Sequence, residues 1–210
     1  MNHQLAIVAH TTRAAQARQL MQYVGAAYLS MDDGTLGCNG NHIHTWRWMA
    51  QHNTQPWSVV LEDDALPCEG FPQQLTAALD TAPTSIVGLY LGTGHPRYAQ
   101  PRIKQGIDQA AQHNAAWLTY STVLNAVGLA IKTTHIADMV ETVWQTKWPI
   151  DKAISDWAHT RHIDVAYTHP SLVDHRDQHT TVSGRTRISR PRTAWTHGAR
   201  EAWNTQTVSM

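Results

Sequence analysis

Cysteine and charged residues are both scarce in this sequence of 210 residues. The two cysteines, Cys38 and Cys68, are too few for a disulfide framework and lack the paired spacing of a zinc site. A reduced, cytoplasmic protein is therefore the expectation. Charged residues make up 15% of the chain and the formal net charge is zero, but a hydrophobic content of 42% is typical of a folded protein rather than a disordered one.

Long hydrophobic runs are also missing. No segment approaches the roughly 18 to 20 apolar residues that a membrane-spanning helix needs, so we expect no membrane span. The first ten residues have no basic segment ahead of a long apolar core, and we therefore expect no signal peptide. A chain of 210 residues is long enough to bury a proper core within one domain.

Short apolar runs alternate with helical patterns along the chain. The runs that are typical of buried strands lie at residues 5–9, 26–30, 57–61, 85–91, 127–131 and 164–167. The segments with helical patterns lie at residues 11–24, 43–52, 71–79, 135–146 and 151–158. This alternation predicts an α/β fold with three layers and a mainly parallel sheet.

The end of the sequence has a different character. Residues 183–200 contain five arginines and no acidic residue. We predict one α/β domain over residues 1–183, followed by a basic tail over residues 184–210 that packs on the domain or extends it.

Three adjacent acids carry the strongest chemical signal. The hydrophobic run Val59-Val60-Leu61 leads directly into Glu62, Asp63 and Asp64. Ligands of open α/β sheets collect beyond the carboxyl ends of the strands. Hard divalent cations such as Mg²⁺ and Mn²⁺ bind carboxylate oxygens and bridge them to phosphates, where they stabilise a departing diphosphate. The alternative is an ordinary solvated turn after a strand.

Four segments together resemble glycosyltransferase family 25 and related short phage-encoded glycosyltransferases. In chain order they are Gly37-Cys38-Asn39-Gly40-Asn41-His42 with Trp46 after it, Glu62-Asp63-Asp64, Pro149-Ile150-Asp151 and Pro170-Ser171-Leu172-Val173. Asn41 stands where the family usually has serine. The resemblance covers residues 5–183 and is most specific before Gly94.

The resemblance implies a GT-A-like fold and a metal-dependent glycosyltransferase. A nucleotide-sugar donor, expected to be a UDP-sugar, would be bound by the N-terminal half of the chain, and the acceptor by the C-terminal half. Asp64 is then the first-choice ligand of Mn²⁺ or Mg²⁺. Glu62 is placed for the metal or the ribose, and Asp63 for the transferred sugar as a catalytic residue. Asn41 and His42 join the donor-binding set.

The ends of the first two strands supply further donor-binding candidates. The segment His10-Thr11-Thr12-Arg13 lies where this fold reads the nucleotide base, and Arg13 would also meet the diphosphate. Asp32 and Asp33 would accept hydrogen bonds from the ribose hydroxyls. An ordinary Asp-Gly turn is the alternative for these two acids.

The C-terminal half supplies candidates for the metal, the base and the acceptor. We expect His175 to complete the metal site, with Asp174 and His179 as second choices and exposed loop histidines as the alternative. Asp151 is the candidate general base if the reaction inverts the anomeric centre. It is otherwise an ordinary helix cap. Trp144 and Trp148 are the candidate acceptor platform, against the alternative of a helix packing face.

The basic tail bears on the acceptor. Arg185, Arg187 and Arg190 would neutralise phosphates, which suits a polyanionic acceptor such as DNA. The resemblance to phage enzymes that add sugars to hydroxylated bases of phage DNA then implies such a base as the acceptor, and it would have to be flipped or unpaired to reach the site. The alternatives are a lipopolysaccharide or other glycan acceptor, and a tail that only clamps the donor diphosphate. Rival functions are a non-catalytic module that binds sugar or nucleic acid, and a metal-dependent phosphohydrolase. The sequence leaves the sugar, the nucleotide, the stereochemistry and the oligomeric state open.

Overall fold

A mixed sheet of eight strands forms the centre of the protein. The computed structural model describes residues 2–176 and 192–210. Within these residues the strands are β1 (His3–His10), β2 (Tyr28–Asp32), β3 (Trp57–Glu62), β4 (Ala65–Pro67), β5 (Ile86–Gly88), β6 (Trp117–Tyr120), β7 (Gly128–Lys132), β8 (Val165–Thr168), β9 (Val173–His175) and β10 (Thr207–Ser209). The order across the main sheet is β10-β6-β8-β5-β7-β3-β1-β2, and β4 pairs with β9 in a separate two-stranded sheet.

Parallel pairs outnumber antiparallel pairs in the main sheet. Among the described residues, the parallel pairs are β1 with β2, β1 with β3, β5 with β8, and β6 with β10. The antiparallel pairs are β3 with β7, β5 with β7, and β6 with β8. The sheet is thus parallel around β1, where the acidic strand β3 lies, and mixed beyond it.

Helices cover both faces of the sheet. They are α1 (Ala14–Val24), α2 (Gly37–His52), α3 (Phe71–Thr81), α4 (Gln100–Gln112), α5 (Ile136–Val143) and α6 (Ile150–Thr160). Side chains alternate along β1, so Leu5 and Ile7 pack with α1 and α3, whereas Ala6 and Val8 pack with α2 and the other helices. The predicted α/β architecture with three layers is confirmed.

Two boundaries differ from the sequence prediction. Helix α2 begins at Gly37 rather than at Ile43. The carboxylate of Asp32 accepts hydrogen bonds from the backbone N–H groups of Leu36 and Gly37, each at 3.0 Å, and so caps the helix six residues earlier. Strand β5 is shorter than the apolar run at 85–91, and at the end of this run the backbone N–H of Leu91 donates to the hydroxyl of Ser171 rather than to a neighbouring strand.

The described part of the tail belongs to the fold. Strand β10 extends the sheet beside β6, and the ring of Trp203 lies 5.5 Å from that of Trp117. The guanidinium of Arg200 donates to the backbone carbonyls of Asn114, Ala115 and His169, so it holds the tail in place. The predicted boundary at residues 183 and 184 lies outside the described residues.

No described helix combines the length and the apolar character that crossing a bilayer requires.

The close packing of β5 against β8 gives a test of the fold. A Cβ atom on Gly88 would lie 2.5 Å from Cε1 of Tyr167, a ring whose hydroxyl donates to the carbonyl of Thr122. We expect Gly88→Ala to lower the free energy of unfolding, measured by urea denaturation, by about 1–3 kcal/mol through overpacking. In a Tyr167→Leu background the same alanine should cost much less. An equal cost in both backgrounds would contradict the clash.

Candidate active site

The acidic motif meets the exit of the first strand because β1 and β3 are parallel neighbours. Val8 pairs with Glu62 in the register of these strands. The carboxyl ends of both strands therefore lie at the same edge of the sheet, and the segment from His10 to Arg13 faces Asp63 and Asp64. The sequence prediction that these two segments share one site is consistent with this geometry.

Asp63 is fixed by the exit of β1. One carboxylate oxygen accepts the backbone N–H of His10 at 2.9 Å, and the other accepts Nη1 of Arg13 at 2.8 Å. The side chain amide of Gln16 also donates to the backbone carbonyl of Asp63. Asp63 therefore locks the start of the α1 segment onto the end of β3. Its predicted role toward the sugar stays a prediction.

Asp64 is buried and only partly compensated. Its Oδ2 lies 2.7 Å from Nη1 of Arg13 and 3.5 Å from Nε2 of His175. Its Oδ1 is buried and has no hydrogen-bond partner. Burial, followed by the negative charge of Glu62, raises the pKa of Asp64 to about 6 against the pull of His175 and Arg13. Arg13 compensates Oδ2, whereas Oδ1 has neither a cation nor a donor beside it.

His175 reaches the acidic motif through the small sheet. Ala65, directly after the motif, pairs with His175 in the antiparallel register of β4 and β9. The Nδ1 atom of His175 is buried and unpartnered. Asp174, the second choice at sequence level, accepts instead the backbone N–H groups of His175 and Ala194. His179 lies outside the described residues.

Glu62 is paired with His42 on the opposite side. The distance between Glu62 Oε1 and His42 Nε2 is 3.1 Å, and the His42 side chain is almost completely buried. Burial lowers the pKa of His42, but hydrogen bonds with Cys38 and Glu62 outweigh this and raise the pKa to about 9. Burial raises the pKa of Glu62, but the hydrogen bond with His42 outweighs this effect. The net shift of the Glu62 pKa is therefore downward. The two groups form a buried ion pair.

A cavity of about 430 Å³ opens next to this pair. It is lined by Leu36, Gly37, Cys38, Asn39, Glu62, Tyr90, Asn125, Ala126, Val127, Lys147, Pro149, Ile150, Asp151, His175 and Arg192. Three of the predicted site residues, Glu62, Asp151 and His175, are brought to this cavity from distant parts of the sequence. A volume of this size is within the range of small-molecule sites, roughly 300–1,000 Å³.

Asp151 lies at the start of α6, on the cavity wall. Its Oδ1 accepts the backbone N–H of Lys152 at 2.8 Å. Asn39, in the first turn of α2, holds this segment from the other side. Its amide donates to the carbonyl of Trp148 at 2.8 Å, and its oxygen accepts the N–H of Ile150 at 3.1 Å. The candidate base is thus held on a segment that is tied to α2.

Several predicted donor-binding residues are occupied with local structure. Both carboxylate oxygens of Asp32 cap α2, and Asp33 accepts from the backbone and hydroxyl of Thr35. The amide of Asn41 donates to the carbonyls of Ala9 at 3.0 Å and of Ser30 at 3.3 Å, which ties α2 to β1 and β2. These contacts favour the turn interpretation of Asp32 and Asp33.

The remaining predicted residues lie at the surface or beyond the described chain. Thr11 and Thr12 are exposed, and Thr12 bonds His10 through its hydroxyl at 2.8 Å. Trp144 and Trp148 are 48% and 56% exposed, with Arg47 over the first ring and Lys152 over the second. Trp148 lies between two cavity-lining residues in sequence. The three tail arginines Arg185, Arg187 and Arg190 fall outside the described residues.

Unpartnered polar atoms concentrate at this site. Within residues 2–176 and 192–210, four buried side-chain nitrogen or oxygen atoms have no hydrogen-bond partner: Trp46 Nε1, Asp64 Oδ1, Asn125 Nδ2 and His175 Nδ1. Asn125 and His175 line the cavity, and Asp64 contacts His175. Buried polar groups are nearly always hydrogen-bonded, so a cluster of exceptions indicates a place for a ligand or an ion.

Sequence reasoning missed four of the polar cavity residues. They are Tyr90, Asn125, Lys147 and Arg192. Each comes from a loop with no motif of its own, and their spacing along the chain carries no signal. Only Arg192 had a compositional hint, as part of the basic segment.

Comparisons with known proteins leave the family open. No protein-family model and no curated protein matches the chain. Among solved structures, it is similar to the inositol-1-phosphate CTP transferase from T. maritima, with 8% identity over 80% of this chain and 66% of that chain, just under two thirds, at a TM-score of 0.41. It is also similar to a glycosyltransferase involved in the glycosylation of the major capsid of PBCV-1, with 11% identity over 75% of this chain and 77% of that chain, at a TM-score of 0.38. Similarity at this level assigns no activity, and membership of family 25 stays a prediction.

The buried pair of Glu62 and His42 predicts a specific pH dependence of stability. The pKa of His42 rises on folding from 6.5 to about 9, so the stabilisation from its charged form is complete below pH 6.5 and is lost as the pH rises through 9. We expect the difference in unfolding free energy between wild type and Glu62→Gln to shrink over this range. Urea denaturation at successive pH values, with a chelator present, measures it.

The matched control for this experiment is Glu141→Gln on the exposed face of α5. Its stability should follow that of wild type at every pH. If Glu62→Gln also follows wild type throughout, the ion pair contributes no pH-dependent stability and the proposed protonation of His42 is wrong.

Proposed function

We propose that the protein is a glycosyltransferase that binds a nucleotide-sugar donor, a UDP-sugar by preference, in the cavity between α2, α6 and the carboxyl end of β3. The observation that carries this proposal is the cluster of unpartnered buried atoms on Asp64, Asn125 and His175 beside a cavity of about 430 Å³. Buried polar atoms are nearly always hydrogen-bonded, so a bound ligand would supply the missing partners. The cavity has the size of a small-molecule site and carries acids, cations and amides on its walls.

Asp64 and His175 are the residues that would hold Mn²⁺ or Mg²⁺. Asp64 Oδ2 and His175 Nε2 are 3.5 Å apart, and Asp64 Oδ1 is free of hydrogen bonds. Carboxylate and imidazole donors suit Mn²⁺, with Mg²⁺ favouring the carboxylate. Glu62, the other predicted ligand, is turned toward His42. When bound, the cation neutralises charge on a departing diphosphate.

Two cationic side chains on the cavity wall fit the diphosphate as well. Lys147 precedes α6, and Arg192 belongs to the basic segment near the C-terminus. Arginine forms paired hydrogen bonds with phosphate oxygens, whereas lysine acts as a point charge. Together they supply positive charge that would neutralise the diphosphate of a bound nucleotide-sugar.

Asp151 is the proposed general base. Its carboxylate lies on the cavity wall at the start of α6, on a segment held by Asn39. A carboxylate within reach of an acceptor hydroxyl removes its proton as the new bond to the sugar forms. The exposed rings of Trp144 and Trp148 lie on the segment that leads into α6 and would serve as the acceptor platform.

The proposed acceptor is a hydroxylated base of DNA. What supports it is the run of arginines at 185, 187, 190 and 192 without an acidic residue, which would neutralise phosphates of the acceptor backbone. A glycan acceptor is the alternative. DNA and lipopolysaccharide fragments, offered separately with the same donor, distinguish the two.

Donor binding is tested by thermal unfolding with a panel of nucleoside diphosphates, with and without Mn²⁺. We expect one diphosphate to raise the melting temperature of wild type when Mn²⁺ is present, through mass action on the native state. Asp64→Asn and His175→Gln should lose this metal-dependent rise.

Asp108→Asn is the matched control for these binding variants, because Asp108 is exposed on α4 and pairs with Lys104 one turn away. It should respond as wild type does. A rise that persists in both site variants would place the nucleotide elsewhere, and no rise with any diphosphate would overturn the proposal.

Catalysis is tested by transfer of labelled sugar to the acceptor. We expect Asp151→Asn to lower kcat by about 10²- to 10⁴-fold, the usual contribution of a positioned base, with little change in diphosphate binding. Asp156→Asn, five residues further along α6 and exposed, is the matched control and should retain activity. Release of sugar without acceptor would indicate a hydrolase, and binding without turnover would indicate a binding module.

A further inference from the structure

A second group of metal-ligating side chains lies on the wall of the same cavity. Cys38, His42 and Glu62 each present one ligand atom, and these three atoms all lie within 4.8 Å of one another. Among the described residues, it is the one group of at least three His, Cys, Asp or Glu side chains whose ligand atoms lie this close together. Asp64 and His175 do not belong to it. The donor set of sulfur, nitrogen and oxygen differs from that of the site at Asp64.

The helix explains why two of these residues meet. Cys38 and His42 are four residues apart in α2, so their side chains lie on the same face of the helix, one turn apart. Gly37 starts the helix with a φ of 67°, which places Cys38 in the first turn at the cavity wall. Glu62 then approaches from the end of β3.

The distance between the histidine and the glutamate is close to that of a tetrahedral zinc site. Zn–N and Zn–O bonds of about 2.0–2.2 Å place two such ligand atoms roughly 3.3 Å apart, and Zn–S bonds of about 2.3 Å place sulfur about 3.6 Å from them. The observed separation of His42 Nε2 and Glu62 Oε1 is 3.1 Å. The Sγ atom of the exposed Cys38 lies within 4.8 Å of both ligand atoms.

We infer that Cys38, His42 and Glu62 form a binding site for Zn²⁺ whose fourth position faces the cavity. Thiolate and imidazole select zinc over Mg²⁺ and Mn²⁺, which prefer oxygen. Three protein ligands with one open position are the pattern of zinc sites that take water or an exogenous ligand, whereas structural zinc sites are closed by four. Both Cys38 and Glu62 line the cavity, so the open position is accessible to a small ligand there. This site does not depend on the proposed transferase activity.

The test is titration of the metal-free protein with Co²⁺ and Zn²⁺ as the probes. Wild type should bind one Co²⁺ with a thiolate-to-cobalt charge-transfer absorption that Zn²⁺ displaces. Cys38→Ser should lose this absorption. Cys38→Ser and His42→Gln should weaken Zn²⁺ binding by more than the roughly 10- to 100-fold that loss of an outer-shell partner costs.

Two control variants make the result specific. Cys68→Ser removes the other free thiol, which is buried, and should leave the absorption unchanged. Asp64→Asn should keep the thiolate signal while losing the Mn²⁺-dependent response to nucleotides, so failure of one site is separable from failure of the other. Addition of azide should shift the cobalt spectrum if the fourth position is open.

The proposal is overturned if wild type shows no thiolate absorption with Co²⁺ while its far-ultraviolet circular dichroism is that of the folded protein. It is also overturned if Cys38→Ser retains the absorption or if Cys68→Ser abolishes it. In these cases His42 and Glu62 form an ion pair and nothing more. A spectrum that azide leaves unchanged would contradict the open fourth position.

Discussion

Three consecutive carboxylates at the end of one strand must each be compensated, and the surrounding fold is arranged around this constraint. Like charges this close raise one another's pKa values unless cations or donors approach. Glu62 is met by His42 from α2, Asp63 by Arg13 and the backbone of His10, and Asp64 by Arg13 and His175. Each carboxylate therefore ties a different part of the chain to β3.

These contacts position the cavity. His42 holds the first turns of α2 against β3, and Asn39 in the same turn holds the segment that begins α6. His175 brings β9 to the opposite wall. Removing one member of a buried ion pair typically costs 3–5 kcal/mol, because the remaining charge is left uncompensated. The charge network and the cavity are thus parts of one arrangement.

One buried carboxylate oxygen of the acidic motif is left without a hydrogen-bond partner among the described residues. Asp64 keeps a buried oxygen without a partner, whereas both oxygens of Asp63 are occupied. Two carboxylates that are neighbours in sequence therefore differ: Asp63 supports the fold, whereas Asp64 keeps an oxygen without a hydrogen-bond partner. The proposed Mn²⁺ or Mg²⁺ site uses Asp64 and His175, whereas the proposed zinc site uses Cys38, His42 and Glu62.

Local sequence patterns were sufficient for the general fold. The alternation of apolar runs and helical patterns predicts the α/β class, because burial on both sides of a sheet imposes those periods on any sequence. The hydrophobic run before Glu62 predicts a strand that delivers acids to the edge of the sheet, and the structure has it. Element ends were less predictable. Asp32 moves the start of α2 by capping it through side-chain contacts that no periodicity reveals.

What the sequence by itself determined is the set of chemical groups at the carboxyl ends of β1 and β3, because neighbouring residues on a strand stay neighbours in the fold. Only the tertiary structure decided which side chains line the cavity. Asn41 is turned to backbone carbonyls, whereas Cys38, three residues earlier, reaches the cavity. Tyr90, Asn125 and Arg192 join the site from loops that are far apart in sequence. Their meeting depends on strand order and loop paths, which are set by long-range packing and leave no local pattern.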